Sequence, residues 1–159
     1  MALPESDQKR VLGIVGSPRR GGNTEILVDQ ALIGAQEAGA QITKFILNEL
    51  DINPCQGCHA CLDSGRCEQQ DHVPALLQHM QDNQVWVLGT PVYWRGPTAQ
   101  FKTFLDRWHS VKPAVFAGRR AILIVPLSNP DEGQARCAVE MVECALAHFK
   151  IEVFATIVV

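Results

Sequence analysis

The segment that follows the first apolar run of the chain carries residue types that bind phosphate. Residues 16–24 read Gly-Ser-Pro-Arg-Arg-Gly-Gly-Asn-Thr and lead into a predicted helix. Glycines free the backbone to point several N–H groups at one spot, and the positive end of the helix dipole favours an anion there. We name this segment the phosphate loop. The predicted phosphate-binding residues are Ser17, Arg19, Gly22, Asn23 and Thr24.

Two common nucleotide motifs do not match the phosphate loop. A Walker A loop needs Lys and then Ser or Thr after its second glycine, whereas Gly21 is followed by Gly22 and Asn23. The dinucleotide fingerprint G-x-G-x-x-G is also absent. The alternative to a phosphate site is a tight strand-to-helix turn with exposed arginines.

A second segment, 53–71, holds four of the six cysteines and is named the cysteine loop. Their spacing is Cys-x2-Cys-x2-Cys-x5-Cys, and they are Cys55, Cys58, Cys61 and Cys67. Four thiolates in one compact loop can hold a single [4Fe–4S] cluster, whereas structural zinc sites more often use two separated Cys-x2-Cys pairs. Free or redox-active thiols are the third interpretation.

Other metal-binding residue types have structural or solvent-facing interpretations. Cys137 and Cys144 are separated by two helical turns, about 10 Å, which is too far for a disulfide. We expect both to be small core side chains. His59 and His72 lie in or beside the cysteine loop, and nothing adjacent completes a ligand set with them, so we expect them to be solvated.

Alternating strands and helices must position these loops. Strands are predicted at 11–15, 42–47, 85–89, 121–125 and 151–159, and helices at 24–38, 73–81, 98–108 and 135–149. Asp71 is expected to cap the second helix, and residues 1–9 to form a loose tail. The alternation predicts an α/β doubly wound parallel sheet, and a phosphate loop after the first of five strands favours the flavodoxin-like order 2-1-3-4-5.

In that order, a ligand lies at the carboxyl ends of the strands, between the first and third strands. The phosphate loop follows the first strand, and residues 91–96, Pro-Val-Tyr-Trp-Arg-Gly, follow the third. We name this second segment the ring loop. Both loops therefore flank one predicted site.

Both loops resemble those of one protein family. The stretch from Gly16 to Thr24 is similar to the FMN phosphate loop of the flavodoxin-like NAD(P)H-dependent FMN reductases and iron-sulfur flavoproteins, and the ring loop is similar to the loop that holds the flavin ring. The resemblance extends from about Val11 to Val159. It implies an FMN-dependent oxidoreductase with NAD(P)H as co-substrate and an FMN or quinone-type acceptor. We predict no catalytic residue, because the cofactor supplies the chemistry.

The resemblance assigns the flavin ring to the ring loop. Aromatic side chains can shield a ring face, and a glycine lets a backbone N–H approach the ring edge. The predicted contacts are Pro91, Val92, Tyr93, Trp94 and Gly96. The alternative is that the two aromatic residues are ordinary packing residues.

The loop after the fourth strand is where the family places a third flavin contact. Ser128 or Asn129 can form a hydrogen bond with the pyrimidine edge of the ring, and a plain turn is the alternative.

The cysteine spacing also resembles the cluster motif of iron-sulfur flavoproteins. It implies a second hypothesis, an electron carrier with a [4Fe–4S] cluster and a ferredoxin-like partner. A third is a non-catalytic flavin- or phosphate-binding module.

Composition excludes several classes of protein. Of the 159 residues, 47% are hydrophobic and 19% charged, which predicts one domain over 1–159, with the cysteine loop as an insertion. The net charge of −3 gives no reason to expect nucleic acid or a membrane as a partner. Residues 1–10 lack a signal-peptide core, so we expect a cytoplasmic protein.

The end of the sequence predicts self-association. Strands four and five are apolar at successive positions, 122–125 and 157–159, and such strands need cover on both faces. A complete flavodoxin-like domain has a further helix after strand five, which this sequence lacks. We expect an obligate homo-oligomer, a dimer or tetramer, that completes the flavin pocket. A shortened chain is the alternative.

Overall fold

The computed structural model describes residues 9–128 and 131–159. Asn129, one of the two predicted contacts to the pyrimidine edge, lies outside these ranges, as does nearly all of the predicted tail. In the described part of the chain, no helix has both the length and the apolar character needed to cross a membrane.

Five parallel strands form the sheet. They are β1 (Arg10–Val15), β2 (Gln41–Ile46), β3 (Val85–Gly89), β4 (Arg120–Val125) and β5 (Glu152–Val158). Their order is β2-β1-β3-β4-β5, with every neighbouring pair parallel. The flavodoxin-like order is therefore confirmed. The carboxyl ends of β1 and β3 are adjacent, since Val15 pairs with Gly89.

Helices occupy most of the connections between strands. They are α1 (Asn23–Glu37), α2 (Ala60–Ser64), α3 (Val73–Asp82), α4 (Ala99–Asp106), α5 (Pro113–Phe116) and α6 (Arg136–His148). The four predicted helices correspond to α1, α3, α4 and α6, and 3-10 turns extend α4 and precede α6. The sequence did not predict α2 and α5, which span only 5 and 4 residues. Such short helices do not establish an apolar stripe.

The two faces of the sheet are covered unequally. On one face α3, α4 and α6 enclose the larger core, in which Trp108 packs edge to face with Trp86 and Phe116. On the other face, α1 contributes Val28 and Leu32 to a smaller core. Helices on both faces therefore hold the sheet that carries the phosphate and ring loops.

The uncovered region lies at the β5 edge. Phe154 and Ile157 are 43% and 40% exposed, and Ile157 pairs with Ile124 across the β4–β5 ladder. The expected lack of cover for strand five is thus present in the described structure.

The expectation that Cys137 and Cys144 belong to the core is wrong. Both thiols are exposed on α6. The buried stripe of this helix runs through Ala138, Val142 and Leu146 at four-residue spacing, which turns positions 137 and 144 towards solvent.

Candidate functional site

A cavity lies at the carboxyl ends of the central strands. Three loops line it, and its residues are Ser17, Arg19, Gly22, Asn23, Thr24, Pro91, Val92, Tyr93, Pro126, Leu127 and Ser128. Of the eleven predicted flavin-binding residues that lie in the described part of the chain, nine therefore share one cavity, and the exceptions are Trp94 and Gly96. The phosphate and ring loops do converge.

The phosphate loop is shaped by its own short-range bonds. Ser17 is buried, and its Oγ accepts a hydrogen bond of 3.1 Å from the Arg19 backbone N–H. Gly21 adopts a left-handed φ of +64°, which glycine takes without strain. The helix α1 then begins at Asn23, and no side chain caps its N-terminus in the described structure. Its first N–H groups are therefore suited to an anionic oxygen.

Several charged side chains lie behind the phosphate loop. The carboxylate of Glu25 accepts hydrogen bonds from the Gly21 backbone N–H at 2.7 Å and from Lys44 Nζ at 3.0 Å. Arg20 also binds Glu25, through Nε and Nη2 at 3.2 Å each. Neither Arg20 nor Glu25 lines the cavity, whereas Arg19 does. Of the two adjacent arginines, Arg19 is therefore the one placed for a ligand.

The ring loop contains a tight turn, which explains why Trp94 and Gly96 do not line the cavity. Tyr93 and Gly96 exchange backbone hydrogen bonds of 2.8 and 2.9 Å, and Trp94 and Arg95 between them have φ of 50° and 65°. Two successive positive φ values are typical of a type I′ turn. The Trp94 side chain is 100% exposed, and the Gly96 N–H is already used inside the turn. In this structure, neither residue is presented to the cavity.

Thr98 joins the phosphate loop to the ring loop. Its hydroxyl donates to the Gly16 carbonyl at 2.5 Å and accepts from the Phe101 N–H at 3.2 Å, which caps α4. Its backbone N–H donates to the Thr90 hydroxyl at 3.1 Å, where the ring loop begins. Both threonines are fully buried. Thr98 thus ties both walls of the cavity together, through its side chain on one side and its backbone N–H on the other.

The four cysteines of the cysteine loop do not form a ligand group in the described structure. Cys55 and Cys58 are exposed, whereas Cys61 and Cys67 are half-buried. Burial raises the pKa of Cys61, and the negative charges of the other three cysteines raise it further. Across residues 9–128 and 131–159, no three His, Cys, Asp or Glu side chains are arranged to hold a metal ion. The donor chemistry suits a cluster, but the loop would have to close further to bind one.

A buried ion pair fixes both ends of the cysteine loop. The Arg107 guanidinium binds the Asp71 carboxylate, and both side chains are essentially inaccessible. Arg107 Nη1 also donates to the Asn53 carbonyl at 2.7 Å, and Asp71 accepts from the Asn53 N–H at 3.0 Å. Nη2 donates to Cys67 Sγ at 3.3 Å, and Nε has no partner in the described structure.

The same ion pair sets the charges at the loop. Burial opposes ionisation of Asp71, but the hydrogen bonds from Arg107, Asn53 and Val73 outweigh it and lower the pKa of Asp71. Burial likewise acts to lower the pKa of Arg107, and its bonds to Asp71 reverse the direction. Both groups are therefore charged at neutral pH. Asp71 Oδ1 also accepts a hydrogen bond of 3.0 Å from the Val73 N–H at the first residue of α3. The expected N-cap position is nevertheless one residue off, because His72 occupies it and makes no side-chain cap bond.

The two histidines of this region are exposed, as expected. His72 nevertheless has a structural bond, because its Nδ1 accepts from the Asp51 N–H at 2.7 Å. The ring of His59 lies 5.9 Å from that of His109, and His59 has a left-handed φ of 62° where α2 begins.

A family model described as NADPH-dependent FMN reductase matches residues 9–154, nearly the whole chain. The chain belongs to the NADPH-dependent FMN reductase family. Among curated relatives, an iron-sulfur flavoprotein of Methanocaldococcus jannaschii is 41% identical over 98 residues, 62% of this chain and 51% of its own length. A Bacillus subtilis protein named as an NAD(P)H-dependent FMN-containing oxidoreductase is 27% identical over 100 residues, with the same coverage of 62% and 51%.

This family member spans about half the length of those curated relatives. Among solved structures, the NAD(P)H:quinone oxidoreductase of Methanothermobacter marburgensis aligns with a TM-score of 0.71 over 93% of this chain and 85% of its own, at 16% identity. That likeness shows the shared fold.

Sequence reasoning missed the residues that support the loops of this FMN reductase family member. Glu25 and Arg107 both lie in predicted helices, and their partners Lys44 and Asp71 are 19 and 36 residues away. A charged residue inside an apolar helical stripe was the available signal, since Arg107 is flanked by the buried Phe104 and Trp108.

Proposed function

We propose that this chain binds FMN in the cavity and is an FMN-dependent oxidoreductase, with NAD(P)H as electron donor and FMN or a quinone-type compound as acceptor. The observation that supports the proposal is the convergence of the phosphate and ring loops on one cavity. When bound, FMN supplies the chemistry by accepting a hydride or single electrons at its ring system.

The residues of the chain would bind and orient the cofactor. The first N–H groups of α1, at Asn23 and Thr24, would donate to phosphate oxygens, and Arg19 would supply the compensating charge. Tyr93 would cover a ring face, and Ser128 would offer a hydroxyl to the ring edge.

The proposal includes Trp94 and Gly96 as further ring contacts. A rearrangement of the turn would be needed to present them, because Trp94 now points to solvent and the Gly96 N–H is bonded to Tyr93.

Titrations with FMN and riboflavin, followed by flavin fluorescence, test this assignment. We expect the protein to bind FMN more tightly than riboflavin, because only FMN carries the phosphate. R19A should weaken FMN binding about tenfold without changing riboflavin binding, since one charge-assisted bond is lost. R136A, at an exposed arginine of α6, is the matched control.

NAD(P)H oxidation with added quinone then tests the reaction. Turnover that requires FMN would support the reductase assignment. Failure of FMN to bind, or equal affinity for FMN and riboflavin, would contradict the placement of the phosphate.

A second candidate function is electron transfer through a [4Fe–4S] cluster, with a ferredoxin-like partner. Cys55, Cys58, Cys61 and Cys67 would hold the cluster. The bond from buried Arg107 to the Cys67 sulfur favours this candidate, because hydrogen bonds to cluster sulfurs tune reduction potentials.

Iron and sulfide analysis after anaerobic purification tests this second candidate. C67S should lower the iron content, while C144S, which removes an exposed thiol outside the loop, should not. Protein with only flavin absorption and no iron would favour the reductase without a cluster.

Self-association and a cytoplasmic location complete the proposal. The exposed Phe154 and Ile157 of β5 support an interface with a second copy of the chain. All six cysteines, which lie in the described part of the chain, are free thiols and suit a reducing compartment. Sedimentation at micromolar concentration should give a dimer or tetramer, and a stable folded monomer would contradict this.

A further inference from the structure

A carboxylate lies buried behind the phosphate loop, where an anion is to bind. The side chain of Glu25 is 6% exposed and lies in the first turn of α1, yet it does not line the cavity. Its Oε2 accepts the Gly21 backbone N–H at 2.7 Å. Because Gly21 is the left-handed residue of the loop, this bond holds the backbone at the point where the chain reverses.

Two cations bind the carboxylate of Glu25. Arg20 binds it through Nε and Nη2, each at 3.2 Å, and also binds Glu49 at the surface. Lys44 on β2 donates to Glu25 at 3.0 Å and to Asp29 at 2.7 Å. The phosphate loop, α1, β2 and the turn after β2 are thus joined through one carboxylate.

The charge state of this network supports a structural use of the carboxylate. The pKa of Glu25 is lowered to about 2, first by the Gly21 N–H and then by Lys44 and Arg20, which together outweigh burial. The hydrogen bond to Asp29 is the main cause of the raised pKa of Lys44. Glu25 and Lys44 are therefore both charged at neutral pH.

We propose that Glu25 is a positioning residue for the phosphate end of the cofactor. It occupies the Gly21 N–H and turns Arg20 away, so that Arg19 and the N–H groups from Gly22 to Thr24 face the cavity. The loop is then organised before the ligand arrives, which lowers the cost of ordering it on binding. This inference rests on the proposed binding of FMN.

The test compares E25Q with D29N, which also loses a partner of Lys44 but does not touch the phosphate loop. We expect E25Q to weaken FMN binding about tenfold, because bonds to charged groups organise the loop, and to leave riboflavin affinity within about twofold. D29N should bind both flavins nearly as the unmodified protein does. A general loss of structure would weaken both flavins equally, so the ratio of the two affinities separates positioning from folding.

A second measurement reports on the loop without any ligand. Amide hydrogen exchange of residues 19–24 should be faster in E25Q and E25A than in D29N, because the bond to Gly21 is weakened or lost. Unchanged exchange, or unchanged FMN affinity in E25Q, would overturn the role of Glu25. If the unmodified protein binds no FMN while exchange responds as expected, the proposed cofactor is wrong and the organisation of the loop by Glu25 is not.

Discussion

The phosphate loop and the cysteine loop both carry the chemistry of the chain, yet the structure holds them differently. The phosphate loop is fixed along its length, by Ser17, Gly21 and the ion pairs of Glu25. The cysteine loop is fixed mainly at its ends, where Arg107 and Asp71 meet. Between those ends, Cys55 and Cys58 are exposed.

The difference indicates two modes of ligand binding. A loop with internal bonds is ready for a phosphate, and binding costs little conformational entropy. A loop anchored mainly at its ends can close around a metal group, and part of the binding free energy is then used to order it. Because the buried Arg107–Asp71 pair fixes both ends of the cysteine loop, such a closure would move only the residues between them.

The largest expected effect comes from removing the anchor of the cysteine loop. R107M leaves the Asp71 carboxylate buried without its cation, and we expect a loss of about 3–5 kcal/mol in the free energy of unfolding. Urea denaturation measures it. K102M removes the exposed Lys102–Asp106 pair on α4 and should cost less than about 1 kcal/mol.

The same variant also tests the comparison itself. If R107M remains folded and binds FMN normally while iron incorporation is lost, the two loops are held independently. An R107M protein with unchanged stability would show that the buried pair does not anchor the loop.

A smaller effect is expected at Thr98, whose hydroxyl binds the phosphate loop. T98V removes the bond to the Gly16 carbonyl and the cap of α4, and we expect a loss of about 1–2 kcal/mol in unfolding free energy. T98S keeps the hydroxyl and should be close to the unmodified protein. If T98S proved less stable than T98V, in thermal or urea denaturation, methyl packing rather than the hydroxyl would matter at this position.

Patterns among neighbouring residues predicted the strands, most of the helices and the phosphate loop. Apolar periodicity predicted all five strands and four helices. Each of these helices buries an apolar stripe against the sheet, and the strands are short apolar runs within it. The glycines and polar residues after β1 identified the phosphate loop, because its shape comes from neighbouring residues. The shared cavity also followed from topology, since β1 and β3 are adjacent in the predicted strand order.

The features that sequence reasoning did not supply depend on distant partners. The pairing of Arg107 with Asp71 joins residues 36 apart, and the bond from Thr98 to Gly16 joins residues 82 apart. The exposure of Trp94 depends on a turn formed by backbone bonds of Tyr93 and Gly96. Residue type alone predicts none of these, because the same residues suit solvent, a cap or a core.

The smallest expected effect on stability is the acid sensitivity of the phosphate loop. The pKa of Glu25 is lowered from 4.5 to about 2 by the Gly21 N–H and then by Lys44 and Arg20, against the opposing effect of burial. Between these values the unfolded chain binds more protons than the folded one, so this contribution is complete above about pH 5 and is lost as the pH falls towards 2. The exposed side of the network is screened by solvent, so we expect the free energy of unfolding to fall by about 1 kcal/mol.

Urea denaturation of the unmodified protein and of E25Q at pH 6, 4 and 3 measures this contribution. Asp71 has a lowered pKa in both proteins and cancels in the comparison. The stability difference between the two proteins should therefore shrink as the pH falls, because protonation removes from the unmodified protein the charge that E25Q already lacks. Parallel pH curves would show that the carboxylate contributes no net ionic stability. The phosphate loop would then be held by its backbone turns alone, and the contrast with the charge-anchored cysteine loop would become sharper.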